Sequence, residues 1–129
     1  MTIPASPGDR NGVISMVYIP MTNSIACIDT QRKVTYIKID NMAVEKQLEA
    51  AYDGALTCIC LNEQRHEIAV GDEVGEIKVF SNLDGKMIFL DQMIHASAVT
   101  SLAYSPDGTR LISGDNNGKI LIWNVNYSG

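Results

Sequence analysis

Positive charge is scarce in this sequence: ten Lys and Arg residues stand against fifteen Asp and Glu residues, a net charge of −5. An acidic chain without a basic cluster is a poor ligand for nucleic acid phosphates or an anionic membrane surface. Residues 1–10 also lack the basic and apolar regions of a signal peptide. We therefore expect a cytoplasmic protein that binds neither nucleic acid nor membranes.

Long apolar runs are missing as well. Residues 11–28 carry no charge, but Pro20 and several Asn, Ser and Thr residues interrupt them. A membrane helix needs about 20 predominantly apolar residues. The segment is better explained as two strands joined by a turn.

The sequence has few cysteines, and three common motifs of catalytic and nucleotide-binding sites do not occur in it. Cys27, Cys58 and Cys60 are an odd number without C-x-x-C spacing, which indicates reduced, structural thiols in an intracellular protein. The sequence contains no G-x-G-x-x-G, no G-K-[ST] and no H-E-x-x-H motif. We expect no metal, no cofactor and no enzymatic activity.

The most informative stretch runs from His95 to Val125. It reads as a polar cap, an apolar strand, a Pro-Asp-Gly turn, a strand ending in Ser-Gly, an Asn-Asn-Gly turn and a strand ending in Trp-Asn. In order and spacing it resembles one repeat of the WD-repeat β-propeller family. Trp123 stands at the place of the family's tryptophan, Asn124 replaces the Asp of its dipeptide, and His95 stands at the place of its histidine.

The pattern recurs more weakly every 43 residues, since Trp123 follows Phe80 at the same interval as Phe80 follows Ile37. The same step joins three acidic residues, Asp29, Asp72 and Asp115. A period of about 40–45 residues is typical of propeller blades. We therefore predict an all-β fold, a partial WD-repeat-like β-propeller with about three blades of antiparallel strands.

The chain divides into an N-terminal extension and one propeller segment. We assign residues 1–10 to the extension, with an edge strand as one option, and 11–129 to the segment, with repeats at about 11–50, 51–94 and 95–129. Val44–Leu48 is predicted as an outer strand, although AVEKQLEAA also has the composition of a helix. Asp84-Gly85 predicts a two-residue hairpin turn of type I′.

Three blades are too few for a ring, because propellers have about 4–8. An open stack would expose apolar blade faces and unpaired strand edges. Two explanations stay open. Either the chain is part of a longer propeller, or blades from another chain complete it, for example in a homodimer of six blades.

The resemblance implies a hydrogen-bonded chain of His, Ser or Thr, Asp and Trp inside a blade. In the third repeat its members would be His95, Ser113, Asn117 and Trp123, and the uncharged Asn117 would weaken the link to the imidazole. The first two repeats lack these residue types. A structural role for His95 is favoured, because a catalytic triad needs a nucleophile and an orienting carboxylate nearby, and a metal site needs further ligands.

Acidic residues recur in the turns between second and third strands, which in this family share a face with the connections that precede each blade. One interpretation is a partner-binding rim for a basic protein segment, where charge would speed and orient encounter. Its candidate residues are Asp29, Asp53, Asp72, Glu73, Glu76 and Asp115. The other interpretation is structural, because Asp in a tight turn accepts hydrogen bonds from nearby backbone N–H groups.

The resemblance implies a non-catalytic protein–protein interaction scaffold, a propeller segment that docks other proteins within a larger intracellular assembly. Members of the family serve in signalling, cytoskeletal and ciliary assemblies, so the fold does not choose among them. The alternative is a structural subunit whose open blade edges are completed by self-assembly or by another chain.

Overall fold

The computed structural model describes residues 12–50, 54–91 and 95–126. These residues form eleven β-strands in three antiparallel sheets, which we call blades 1, 2 and 3. Blade 1 comprises β1 (Val13–Ile19), β2 (Ser24–Asp29), β3 (Lys33–Lys38) and β4 (Val44–Glu49), with a 3-10 turn at Pro20–Thr22. Blade 2 comprises β5 (Leu56–Asn62), β6 (Glu67–Asp72), β7 (Ile77–Ser81) and β8 (Met87–Asp91). Blade 3 comprises β9 (Val99–Tyr104), β10 (Arg110–Asp115) and β11 (Ile120–Asn124).

Consecutive strands pair within each blade, so each sheet is a simple meander. The prediction of an all-β fold with three blades of antiparallel strands is confirmed. Val44–Glu49 forms a strand rather than a helix, with Leu48 opposite Val34 in β3. Alternation explains this outcome: Leu48 packs against the core between blades 1 and 2, while Glu45 and Glu49 remain exposed.

The three repeats are equivalent at the level of single backbone hydrogen bonds. The turn after the second strand of each blade donates one N–H to the residue near the start of the first strand. The pairs are Thr30 to Gly12 (3.1 Å), Glu73 to Ala55 (2.9 Å) and Asn116 to Ala98 (3.0 Å). Donors and acceptors both advance by 43 residues, so residues 43 apart occupy equivalent positions.

The core consists of two apolar layers between neighbouring blades. The layer between blades 1 and 2 includes Ile28, Ile68 and Val70, and the layer between blades 2 and 3 includes Ala69 and Leu111. All six residues of β6 are buried because this strand contributes to both layers. A strand covered on both sides is apolar on both faces rather than alternating.

The two end blades each expose an apolar face. On blade 3, Ile120 and Ile122 are 70% and 69% exposed. On blade 1, Val13, Met16 and Tyr18 are 59%, 52% and 51% exposed. Blade 2 has a neighbour on both sides, and its exposed apolar side chains, Leu83, Met87, Ile88 and Leu90, lie in its outer strand β8 and the turn that precedes it.

The turn at Asp84-Gly85 is not the predicted type I′ turn. Type I′ requires positive φ at both central residues, and of these two only Gly85 has it, at +75°. The N–H of Gly85 donates to the carbonyl of Ser81 (2.9 Å), and the Asp84 carboxylate accepts the N–H of Lys86 (2.9 Å). The connection is therefore longer than two residues, with Asp84 acting as a cap inside it.

Candidate functional site

A chain of polar side chains crosses the interior of blade 3. His95, which precedes β9, has its Nε2 atom 2.6 Å from Oγ of Ser113 in β10. The indole Nε1–H of Trp123 in β11 donates to the same Oγ at 3.0 Å. The Nδ1 atom of His95 lies 2.7 Å from Oδ2 of Asp115. The structure thus brings together three of the four residues predicted for this network.

The fourth position belongs to Asp115 and not to Asn117, which corrects the sequence prediction. Ser113 and Asp115 are two residues apart on β10, so their side chains point to the same side of the sheet, toward His95. Asn117 lies beyond the end of the strand, where its side chain is exposed and its backbone N–H donates to Asp115 (2.9 Å). The histidine therefore has a charged partner.

The network is satisfied by a neutral imidazole that carries its hydrogen on Nδ1. Trp123 then donates to Ser113, the Ser113 hydroxyl donates to Nε2, and Nδ1–H donates to the Asp115 carboxylate. The hydrogen bond from His95 is the largest effect that holds the pKa of Asp115 below its ordinary value. Backbone N–H groups of Lys119 and Asn117 act in the same direction, and partial desolvation opposes them.

Asp115, His95 and Ser113 are connected in the same order as the carboxylate, imidazole and hydroxyl of a catalytic triad. A nucleophilic serine must reach a substrate carbonyl. His95 and Ser113 are both 0% exposed, and the Ser113 oxygen already accepts the indole N–H. The arrangement ties together β10, β11 and the segment before β9, with the hydroxyl buried inside blade 3.

The three aspartates that recur every 43 residues cap their turns in the same way. In each case Oδ1 accepts the backbone N–H groups of the residues two and four positions later. The distances are 2.8 and 3.3 Å at Asp29, 3.1 and 2.9 Å at Asp72, and 2.9 and 3.0 Å at Asp115. These bonds satisfy turn amides that would otherwise need water.

The burial of these aspartates corrects the predicted acidic rim. Asp72 is 1% exposed and Asp115 is 8% exposed, so neither offers its carboxylate to a partner. Asp29 and Glu76 are half-buried, and Glu73 is exposed. The remaining rim candidate, Asp53, lies outside the described residues.

Sequence analysis missed a buried ion pair in blade 2. Nζ of Lys78 lies 3.8 Å from Oδ2 of Asp72, and both side chains are almost fully buried. Asp72 is the counterpart of Asp115, so a lysine from β7 stands beside the same carboxylate oxygen that meets the imidazole in blade 3. The signal was a single charged residue between Ile77 and Val79, inside an otherwise apolar strand.

The cysteines show no sign of reactivity. Burial raises the pKa of the Cys58 and Cys60 thiols, which disfavours the nucleophilic thiolate. Among the residues that the structure describes, no three His, Cys, Asp or Glu side chains are grouped as a metal site would require. Over the same residues, no helix has the length and apolar character needed to cross a membrane.

Comparisons with known proteins agree with this geometry. Residues 25–129 match the family model described as the IFT140 first beta-propeller. The chain is similar to apoptotic protease-activating factor 1 of Rattus norvegicus, with 31% identity over 78 residues, which is 60% of this chain and 6% of that protein. It is also similar to periodic tryptophan protein 2 of Saccharomyces cerevisiae, with 25% identity over 111 residues, which is 85% of this chain and 12% of that protein.

The fold is also similar to a solved structure. A chain in the crystal structure of the mitotic checkpoint complex matches with a TM-score of 0.81 and 22% identity, over 92% of this chain and 36% of that one. At this identity the match supports the fold alone. This chain therefore spans only a small part of each relative and about a third of the matched structure.

Proposed function

We propose that this chain, which belongs to the WD-repeat β-propellers in the family of the IFT140 first beta-propeller, is a non-catalytic scaffold. It docks other proteins as a propeller segment within a larger intracellular assembly. Propellers of this family generally act in protein interactions. The observation that supports the proposal is the burial of the hydrogen-bonded network of blade 3. His95 and Ser113 are 0% exposed, and they bind each other inside their own blade.

The non-catalytic part of the proposal is tested with a fluorophosphonate probe, which labels activated serines. We expect no labelling of Ser113 in the folded chain, because the hydroxyl is buried and accepts the Trp123 indole N–H. The matched control is Ser113→Ala. Labelling that is present in the native chain and disappears in this variant would establish a reactive serine and contradict the scaffold role.

The docking surface that we propose is the part of the acidic rim that remains accessible, Asp29, Glu73 and Glu76. Glu73 and Glu76 belong to the β6–β7 turn, next to the carbonyl of His95 that contacts Gly75. Carboxylates at such a position favour a basic segment of a partner protein and mainly affect its rate of encounter. Asp53 is proposed to extend this rim.

Charge reversal tests the rim without disturbing the turn caps. We expect the double variant Glu73→Lys, Glu76→Lys to weaken binding of a fluorescein-labelled Lys-rich peptide, measured by anisotropy at physiological salt. The control is Glu63→Lys, an exposed glutamate in the β5–β6 turn at the opposite end of blade 2. Equal peptide affinity of the double variant and native chain, with circular dichroism unchanged, would remove the rim from the proposal.

A second role is favoured by the apolar faces of the end blades. Ile120 and Ile122 on blade 3 are more than two-thirds exposed, and contiguous exposed apolar surface marks an interaction site. The chain would then be a structural subunit, completed by self-assembly or by another chain. Residues 1–10 as an extension and 11–129 as one segment remain part of this proposal.

We place the assembly in the cytoplasm, with cytoskeletal and ciliary assemblies included. The three cysteines are free, and Cys27 is buried, as suits a reducing compartment. Imaging of a fluorescent fusion tests the location. Secretion of the fusion, or its retention in an oxidising compartment, would contradict it.

A further inference from the structure

A groove of about 420 Å³ lies between the outer strands of blades 1 and 2. It is lined by Leu48 of β4, Phe80 of β7, and Met87 and Leu90 of β8. Met87 stands opposite Phe80 and Leu90 stands opposite Lys78, so both side chains lie on the face of blade 2 that is turned toward blade 1. Met87 and Leu90 are 51% and 37% exposed, whereas Phe80 is buried. The groove therefore has an apolar floor and an apolar wall that is open to solvent.

The groove is explained by a lysine at a position that is aromatic one period later. Between blades 2 and 3, Phe89 of β8 packs edge-on against Trp123, with the ring centroids 5.8 Å apart. The counterparts 43 residues earlier are Lys46 and Phe80. The Lys46 ammonium lies 4.6 Å from the centre of the Tyr36 ring. A lysine held there leaves open the apolar space beside Phe80, which an aromatic pair would close.

One end of the groove has a surplus of negative charge. Glu76, which precedes β7, and Glu49, which ends β4, both line it. The carboxylate of Glu49 is 63% exposed even though Nζ of Lys33 lies 3.9 Å away, and an exposed pair of this kind contributes little. Lys78 also lines the groove, but its ammonium is almost fully buried and lies 3.8 Å from the Asp72 carboxylate. This end therefore favours a cation.

The opposite end of the groove has a lysine beside it. Gly85 lines the groove there, and a Cβ atom at Gly85 would lie 3.7 Å from Cδ of Lys46. The Lys46 ammonium donates to the carbonyl of Asn82 (3.0 Å). Because the two ends differ in charge, an occupant with a single cation has one favoured placement along the groove.

The rise of the strands sets the spacing of side chains in an occupant. Glu76, Lys78 and Phe80 follow one another at every second residue, and β8 places Leu90 and Met87 opposite the last two. A strand advances about 3.3 Å per residue, so the acidic end lies about 7 Å along the strand from the level of Leu90. An extended segment has the same rise. Three of its alternate side chains would therefore meet the apolar wall twice and the acidic end once.

We propose that this groove binds an extended segment of a partner protein with two apolar side chains at alternate positions and a Lys or Arg two residues beyond them, in either chain direction. The apolar pair packs between Leu48 and the wall formed by Met87 and Leu90, and the cation meets Glu76 and Glu49. Burial of the apolar pair supplies affinity, while the charges orient the segment. The inference rests on the proposed docking of a basic segment, and it names the residue pattern of that segment and the surface that holds it.

Fluorescence anisotropy of synthetic peptides with the native chain tests the proposal. The probe is fluorescein-labelled Gly-Ser-Leu-Ser-Leu-Ser-Lys-Ser-Gly, made in both sequence orders, and the reference peptide has Ser in place of both Leu residues. We expect the tighter of the two Leu peptides to bind about tenfold or more tightly than the reference, because two apolar side chains leave water. Replacing its Lys by Glu should weaken binding about threefold or more.

Met87→Ser and Ile88→Ser are the matched pair of variants. Both residues lie in β8 with similar exposure, 51% and 46%, and of the two it is Met87 that lines the groove. We expect Met87→Ser to weaken binding of the Leu peptide about tenfold and Ile88→Ser to leave it unchanged. Melting temperatures show whether both variants are folded, and Leu90→Ser, on the same wall, is the second variant if Met87→Ser is not.

Equal affinity for the Leu and reference peptides would overturn the proposal, and so would equal effects of Met87→Ser and Ile88→Ser. Leu-peptide binding that is kept in Met87→Ser and lost in Ile122→Lys would place the site on blade 3 and overturn it too. If the groove fails in these ways while charge reversal at Glu73 and Glu76 weakens binding of the Lys-rich peptide, the acidic rim stands without the groove. If the Leu peptide needs Met87 while the Lys-rich peptide is insensitive to that reversal, the groove stands and the rim is lost.

Discussion

Asp115 uses its two carboxylate oxygens for two different structures. Oδ2 meets the His95 imidazole, and Oδ1 accepts the amides of Asn117 and Lys119. One buried side chain therefore fixes both the inside of blade 3 and the turn between β10 and β11. The equivalent oxygens of Asp72 do the same with Lys78 and the β6–β7 turn.

The lowered pKa of Asp115 predicts a pH-dependent contribution to stability. The folded pKa lies below the ordinary value of about 3.9. A carboxylate of this kind adds stability above its unfolded pKa, and that stability is lost as pH falls through the folded pKa. We expect Asp115→Asn to be less stable than the native chain at pH 7, with the difference shrinking below about pH 4.

Urea unfolding followed by the fluorescence of Trp123, the single tryptophan, measures this difference. The control is Glu73→Gln, an exposed side chain on the equivalent turn of blade 2, which should unfold like the native chain at every pH. A difference between Asp115→Asn and native chain that stays constant from pH 7 to pH 3 would contradict the role of the carboxylate charge.

Ser113→Ala should be among the most destabilising single substitutions of a small polar residue in blade 3. It removes the hydroxyl that joins His95 to Trp123 and leaves the buried Nε2 of His95 and the indole N–H of the half-buried Trp123 without this partner, at a cost of about 1–3 kcal/mol. Ser101→Ala on β9 is the matched control, because Ser101 is exposed. Thermal unfolding that ranks the two variants equally would show that the network adds nothing to stability.

At the scale of the strand, most of what can be predicted from the sequence follows from its period of 43 residues. It predicted the strands because inner blade strands are apolar on both faces, as β2 and β6 are. It could also have identified Asp115: this position is Asp in all three repeats, whereas Asn117 has Val74 and Gln31 as counterparts. The spacing implied by the family resemblance was a weaker guide than the equivalence of positions within the chain.

Contacts between elements account for what the sequence did not reveal. Lys78 is charged, and only the packing of β7 against β6 shows that its partner is Asp72. The β7–β8 connection departs from a two-residue hairpin, and Gly85 within it packs against Leu48 of the neighbouring blade. Neither contact can be predicted from the strand propensity of the residues involved.

The capped turns should differ in strength, which two substitutions can test. Asp29→Asn and Asp72→Asn make the same change at equivalent turns, but Asp72 also stands beside the buried ammonium of Lys78. We expect Asp72→Asn to cost about 3 kcal/mol more, since removing one partner of a buried ion pair leaves the other charge uncompensated, at a cost of about 3–5 kcal/mol. Equal urea midpoints for the two variants would mean that the ion pair does not stabilise blade 2.

At the scale of the whole molecule, the middle of the blade stack differs from its two ends. Blade 2 is complete because it has a neighbour on each side, while blades 1 and 3 each have one. Both end blades therefore expose apolar side chains, and on the outer face of blade 3 Ile122 lies opposite Ile112 and two residues from Ile120. A folded but incomplete propeller segment explains both the packed centre and the open ends.

The most direct test of this account is the solution mass of the 129-residue chain, measured by light scattering over a concentration series. Exposed apolar faces should raise the mass above the 14.1 kDa monomer in a heterogeneous way as concentration increases. Ile122→Lys should suppress that increase. A concentration-independent 14.1 kDa species would contradict an open segment, and a discrete dimer insensitive to Ile122→Lys would contradict the assignment of the open face.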